Sequence, residues 1–259
     1  MWFSSHREVC VLKPLLILFL AGALAISAGC GSSEKKPPKG ESHYIMGLSH
    51  FRQQQLTQAL KEFLLAVEAN PQNADYQNGL ALAYQFKKAY PEAEKHYIKA
   101  LALGGDSPEH QNNLAALYLD MQRWDDAIKY FRLAASNLLF GQPERAHTGI
   151  GFAYMQKGEY LDAVGAFQQA IKENPNFALA HFRLGEVYHA LDKWELAVAS
   201  LRKAAELAPV VPEIRYKLGL AHMKNGQTPE ALAAFEEVLR LAPTSEEAHL
   251  AKSYIEVLK

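Results

Sequence analysis

The chain has 259 residues, with 27 basic and 28 acidic side chains for a net charge of −1; no basic face emerges, which argues against binding nucleic acid through phosphate neutralisation. Only two cysteines are present, Cys10 and Cys30, too few for a disulfide framework or a thiolate metal site.

Residues 1–29 read as a segment apart. Arg7 and Lys13 give a basic start, and residues 15–28 run without interruption through apolar and small side chains before Gly29 and Cys30. This run is shorter than the roughly 20 apolar residues of a membrane span and suits the core of a secretory signal. The stretch Ser27-Ala28-Gly29-Cys30 resembles a bacterial lipoprotein signal, with Ser27 where that family prefers Leu. The resemblance implies cleavage before Cys30 and a diacylglycerol on its thiol. The alternative is an uncleaved anchor helix.

With cleavage, Cys10 leaves and no intramolecular disulfide can form. Residues 30–39 are then a lipidated cysteine and a linker. The stretch GSSEKKPPKG lacks periodicity and is rich in Gly, Ser, Pro and charge, the composition of a flexible tether. Such a tether reaches on the order of 17 Å. Gly31, in place of Asp, resembles the signal for transport to the outer membrane of Gram-negative bacteria, which implies a lipid anchor at its periplasmic face.

Residues 40–245 divide into six repeats: 40–73, 74–107, 108–143, 144–177, 178–211 and 212–245. One column runs His50, Tyr84, Tyr118, Tyr154, Tyr188, His222, in steps of 34, 34, 36, 34 and 34. The columns Ala59, Ala93, Ala127, Ala163, Ala197, Ala231 and Phe63, Tyr97, Phe131, Phe167, Leu201, Phe235 keep the same steps. Each repeat holds two helix-length amphipathic segments; in the fourth, Gly158 separates residues 144–157 from 160–173. Small residues at 47, 81, 115, 151, 185 and 219 allow close helix approach, and the bulky column fills the space beside them. Pro71, Pro175, Pro209 and Pro243 follow second helices, where proline cannot continue the helix. Pro91 and Pro229 fall in first turns, where the missing N–H costs nothing.

The third repeat is two residues longer, ends SNLLFGQPE and lacks the terminal proline, so a different bend is expected before the fourth. Thr244 and Glu247 have capping-box spacing and open a last helix over residues 246–259, a polar cap for the array. The period and its Gly/Ala, Tyr, Ala, Phe, Pro grammar resemble the tetratricopeptide repeat. The expected fold is all-α: a right-handed superhelical solenoid of six helix pairs plus a C-terminal capping helix.

No catalytic constellation emerges, so a non-enzymatic role is expected, with neither cofactor nor metal. There is no HExxH, no phosphate loop and no Cys/His pair. His181 and His189 lie about 12 Å apart along one helix, too far to share an ion unaided. In this fold the first helix of each pair lines a concave groove. The lining positions select Tyr44, Leu48, Phe51, Leu82, Phe86, Asn112, Leu119, Phe152, Met155, Phe182, Tyr216 and Met223. An exposed lining of aromatics, Leu and Met with Asn between marks a surface for a partner's segment. The alternative is that some of these side chains pack within the superhelix. The lining positions carry no Lys or Arg cluster, which argues against a carboxylate clamp.

Residues 112–160 also resemble the PilF/PilW type IV pilus biogenesis lipoproteins, outer-membrane pilotins with six such repeats. Asn112-Asn113 and Asn137-Leu138-Leu139-Phe140 match that family in outline; the proline after Asn137 and the family's repeat cysteines are absent. The resemblance implies that the partner is an outer-membrane secretin or another pilus assembly protein, whose localisation or assembly the chain assists. The other candidate role is a generic periplasmic adaptor for cell-wall hydrolases or outer-membrane protein assembly.

Overall fold

The structure is a computed structural model that describes residues 38–259. The expected signal, the Cys30 lipid site and the linker as far as residue 37 lie outside the described residues. The described residues form helices and no strand, in six antiparallel pairs. The pairs are α1 (Glu41–Arg52) with α2 (Leu56–Ala69), α3 (Ala74–Phe86) with α4 (Tyr90–Gly104), and α5 (Pro108–Asp120) with α6 (Trp124–Ser136). Then come α7 (Pro143–Gln156) with α8 (Tyr160–Glu173), α9 (Ala178–Ala190) with α10 (Trp194–Leu207), and α11 (Pro212–Lys224) with α12 (Thr228–Leu241). A last helix, α13 (Glu246–Leu258), closes the array. The all-α solenoid expected from the period is what the chain forms. None of these helices is long and apolar enough to cross a membrane.

One turn geometry joins the two helices of every pair. A left-handed residue sits at Gln54, Lys88, Gln122, Gly158, Asp192 and Gly226, with φ between 55° and 76°. The next N–H then donates to the carbonyl of the tyrosine column, as in Ala89 to Tyr84 at 2.9 Å and Lys193 to Tyr188 at 2.8 Å. This closes the last turn of the first helix and reverses the chain. Only two of the six positions are glycine, so elsewhere the closing hydrogen bond offsets the strain of a left-handed side chain.

The core is the seam that the columns outline. Phe63, Tyr97, Phe167 and Phe235 are fully buried, and so is every member of the alanine column from Ala59 to Ala231. The glycines permit the approach: a Cβ added at Gly151 would lie 2.6 Å from the Phe167 ring, and one at Gly219 would lie 2.6 Å from Phe235. Repeats two and three accept alanine at the same place, Ala81 and Ala115.

Two details depart from expectation or sharpen it. Ser245, not Thr244, caps α13: its Oγ accepts from the Ala248 N–H at 3.2 Å. The helix starts one residue later than the capping box requires, which leaves Thr244 outside. The long junction between α6 and α7 is held by Asn137, whose Oδ1 accepts from the Leu139 N–H at 2.9 Å, and by Phe140, which is buried. Leu138 and Leu139 are left projecting from it. α13 buries Ala248, Ala251 and Ile255 against α12 and turns Lys252 and Glu256 outward, as a cap should.

Candidate functional site

The first helices of the central pairs present one open face. A cavity of about 790 Å³ is lined by Leu82, Gln85 and Phe86 of α3, by Ala116, Leu119 and Asp120 of α5, and by Phe152 of α7. Tyr90 and Trp124, the first residues of α4 and α6, complete its wall. A second cavity of about 580 Å³ continues from it, sharing Ala116, Leu119 and Phe152 and adding Asn112, Arg145, Phe177, Leu179 and Arg183. Together they form a groove from α3 to α9.

Aromatic contacts stiffen the walls. Phe86 meets the edge of Phe51 at 4.8 Å between ring centroids, and Trp124 meets Phe152 at 6.4 Å, both near perpendicular. The Arg183 guanidinium lies 5.5 Å from the Phe152 ring, held by an ion pair to Glu186 at 2.7 Å. A polar chain runs out of the core beneath the first cavity. The Tyr97 hydroxyl donates to Gln85 Oε1 at 2.8 Å, and Gln85 Nε2 donates to Asp120 Oδ2 at 2.6 Å. Burial, and then the Asp120 charge, push the Tyr97 phenol far above its ordinary value, so it stays a donor at any physiological pH. Asn113 Nδ2 donates to Asn78 Oδ1 at 3.1 Å, linking α5 to α3 on the same face.

The selected lining residues fare unequally. Leu82, Phe86, Asn112, Leu119 and Phe152 converge on the two cavities. Phe51 supports Phe86 from α1, the first helix of the preceding repeat. Tyr44, Leu48, Met155, Tyr216 and Met223 are half-buried and lie outside both cavities. Tyr44 packs against Tyr76 of the next repeat at 5.1 Å, and Tyr216 against Phe235 of its own repeat at 6.0 Å, so part of each ring is spent on packing. Phe182 is a correction. It is 4% exposed, enclosed with Ala197, Val198, Leu201 and Leu218, and offers no groove surface. A phenyl ring at that position gains more by turning into the seam than by facing water.

Other lining residues were not selected from the sequence: Tyr90, Trp124 and Phe177, which lie outside the first helices, and Arg145 and Arg183, which lie on α7 and α9. Tyr90 and Trp124 had a visible signal, since Tyr90, Trp124, Tyr160 and Trp194 recur at the repeat step at the head of second helices. Arg145 and Arg183 introduce positive charge where none was anticipated. Among the described residues no group of His, Cys, Asp or Glu is placed to hold a metal ion.

Two family models, both described as tetratricopeptide repeat, match this chain. One matches residues 44–88, 149–212, 190–246 and 216–257, the other residues 72–139. Superkiller protein 3 of Saccharomyces cerevisiae is 28% identical over 120 residues, 43% of this chain and 8% of that protein. DnaJ homolog subfamily C member 3 of Bos taurus is 28% identical over 109 residues, 42% of this chain and 22% of that protein. The match thus spans less than a quarter of either relative.

Among solved structures, PilW, described as a widely conserved type IV pilus biogenesis factor, superposes with a TM-score of 0.76 at 20% identity, covering 82% of this chain and 98% of that one. Pseudomonas aeruginosa pilF superposes with a TM-score of 0.72 at 18% identity, covering 83% and 97%. With its six pairs, its groove and these matches, the chain belongs to the tetratricopeptide repeat family, whose members are scaffolds for protein–protein interaction.

Proposed function

We propose that this chain is a non-enzymatic scaffold of the Gram-negative envelope, tethered to the periplasmic face of the outer membrane by a lipid on Cys30. In this reading it grips an extended segment of a partner between α3 and α9 and assists the localisation or assembly of the type IV pilus secretin. The observation that carries it is the open groove itself, where Leu82, Phe86, Leu119, Trp124 and Phe152 form one continuous lining. A contiguous exposed apolar surface of that kind marks an interaction site.

The pilus assignment is supported by coverage. The likeness extends over 98% of PilW and 97% of pilF, so nearly the whole of each superposes on this chain. The signal-like stretch ending in Ser27-Ala28-Gly29-Cys30 supports the tether. Two acyl chains hold a protein stably at a bilayer, since each buried CH₂ contributes about 0.8 kcal/mol.

The test is a deletion strain complemented with wild type, with Cys30→Ser, or with Phe86→Ala and Phe152→Ala together. Secretin multimers in the outer-membrane fraction are the readout. Wild type restores them, Cys30→Ser leaves the protein in the soluble periplasm, and the groove variant stays at the membrane without restoring multimers. Normal secretin in the deletion strain would remove the pilus role and favour the general adaptor.

A further inference from the structure

We propose that the cavity between α3 and α5 is a cation subsite, in which Asp120 and the surrounding aromatic rings receive a lysine or arginine side chain of the bound segment. This rests on the groove reading above and adds the chemistry of one residue of the ligand.

Asp120 is held in place. Gln85, buried between α3 and α5, donates to Oδ2, and the fully buried Tyr97 hydroxyl orients Gln85 in turn. Its other oxygen, Oδ1, accepts no hydrogen bond from the described residues. No Lys, Arg or His among them lies within ion-pair distance of the carboxylate, although Lys88 lines the same cavity. Phe86, Tyr90, Trp124 and Phe152 line the same cavity, and aromatic faces attract cations.

Asp120 is also in the wrong place for α5. It is the last residue of that helix, where the helix dipole disfavours an acid. The corresponding residues of the other repeats are Arg52, Phe86, Gln156, Ala190 and Lys224, none of them acidic. The carboxylate therefore sets a negative field at the cavity, reinforced by the α5 dipole, and a cation entering it relieves that charge. An amphipathic segment with a basic residue between apolar ones fits: the apolar residues meet Leu82 and Leu119, and the basic one meets Asp120.

The probes are two end-blocked, fluorescein-labelled hexapeptides of leucine and phenylalanine, one with a central arginine and one with norleucine in its place. Each is titrated by anisotropy against the full chain and its Asp120→Asn variant at low salt. The variant keeps an oxygen for Gln85 and removes an acid from a helix C-terminus, so its fold is not at risk. The arginine peptide binds about tenfold more tightly than the norleucine peptide to wild type. The preference disappears in Asp120→Asn and shrinks in high salt. Equal binding of both peptides to wild type, or a preference that survives in Asp120→Asn, overturns the cation subsite and leaves the groove intact. Failure of both peptides to bind overturns the groove and the subsite together.

Discussion

Truncating Phe86 and Phe182 separately distinguishes a wet wall from a buried seam. Both are phenylalanines of first helices, α3 and α9, and sequence position alone placed both in the groove. Phe182 is 4% exposed and enclosed by Ala197, Val198, Leu201 and Leu218, so Phe182→Ala opens a cavity at a site with little freedom to collapse and costs about 3–5 kcal/mol. Phe86 is 55% exposed and loses mainly its edge contact with Phe51 and the side it rests on. Scaling the core value by the buried part gives about 1.5–2 kcal/mol for Phe86→Ala. For a chain of this length about 2–4 °C of melting temperature accompanies each kcal/mol, so the two variants separate by several degrees. Thermal melts followed by helical circular dichroism read this directly, and partner capture should fall with Phe86→Ala. Equal losses of stability would refute the assignment of Phe86 to an open wall.

Three further outcomes are expected. Ala163 is fully buried beside Phe167, so Ala163→Leu overfills the fourth repeat and costs about 1–3 kcal/mol; an unchanged melting temperature would contradict the register. Gly158 has φ 76° with open space around it, so Gly158→Ala costs about 1–2 kcal/mol from backbone strain alone, whereas Gly165→Ala, on an open face of α8, does not destabilise. His96, His147 and His189 are held below the ordinary 6.5, in each case first by burial, with Lys95 and Lys99 adding to the effect at His96. A folded value below the unfolded one means that the unfolded chain binds more protons on acidification. Stability from these groups is present above about pH 6.5 and declines as pH falls through their folded values. Denaturant midpoints measured from pH 7.5 down to 5 check this, and replacing all three by Gln should flatten the decline.

The fold was legible because packing constraints recur. Steps of 34 and one of 36 place Gly151 against Phe167 and Gly219 against Phe235, and a residue too large at either position would force the helices apart. The seam therefore writes itself into composition at fixed intervals. Turn closure did not, because its common element is a backbone hydrogen bond. Gln54, Lys88, Gln122 and Asp192 share a left-handed conformation with Gly158 and Gly226 but share no side-chain chemistry with them. Ser245 escaped for a similar reason: Thr244 and Glu247 offered the right spacing, and one residue of shift in the helix start decided which hydroxyl caps.

The groove was legible only in part, since its lining is set by what each repeat fails to bury. The position occupied by Phe182 holds Asn78, Asn112 and Thr148 in the three preceding repeats. Asn78 and Asn112 stay half-buried there and Thr148 turns its hydroxyl back to the Glu144 carbonyl of its own helix, while a ring finds a larger gain among Ala197, Val198 and Leu201 and leaves the face it was assigned to. The vacancy is then taken from elsewhere, by the Arg183 guanidinium lying over both Phe182 and Phe152. Tyr90 and Trp124 reach the cavity from the heads of α4 and α6 because the short left-handed turn brings each second helix back beside the end of the first. Both effects belong to how neighbouring pairs meet, so a rule that assigns one helix per repeat to the groove omits the aromatic wall that Tyr90 and Trp124 build.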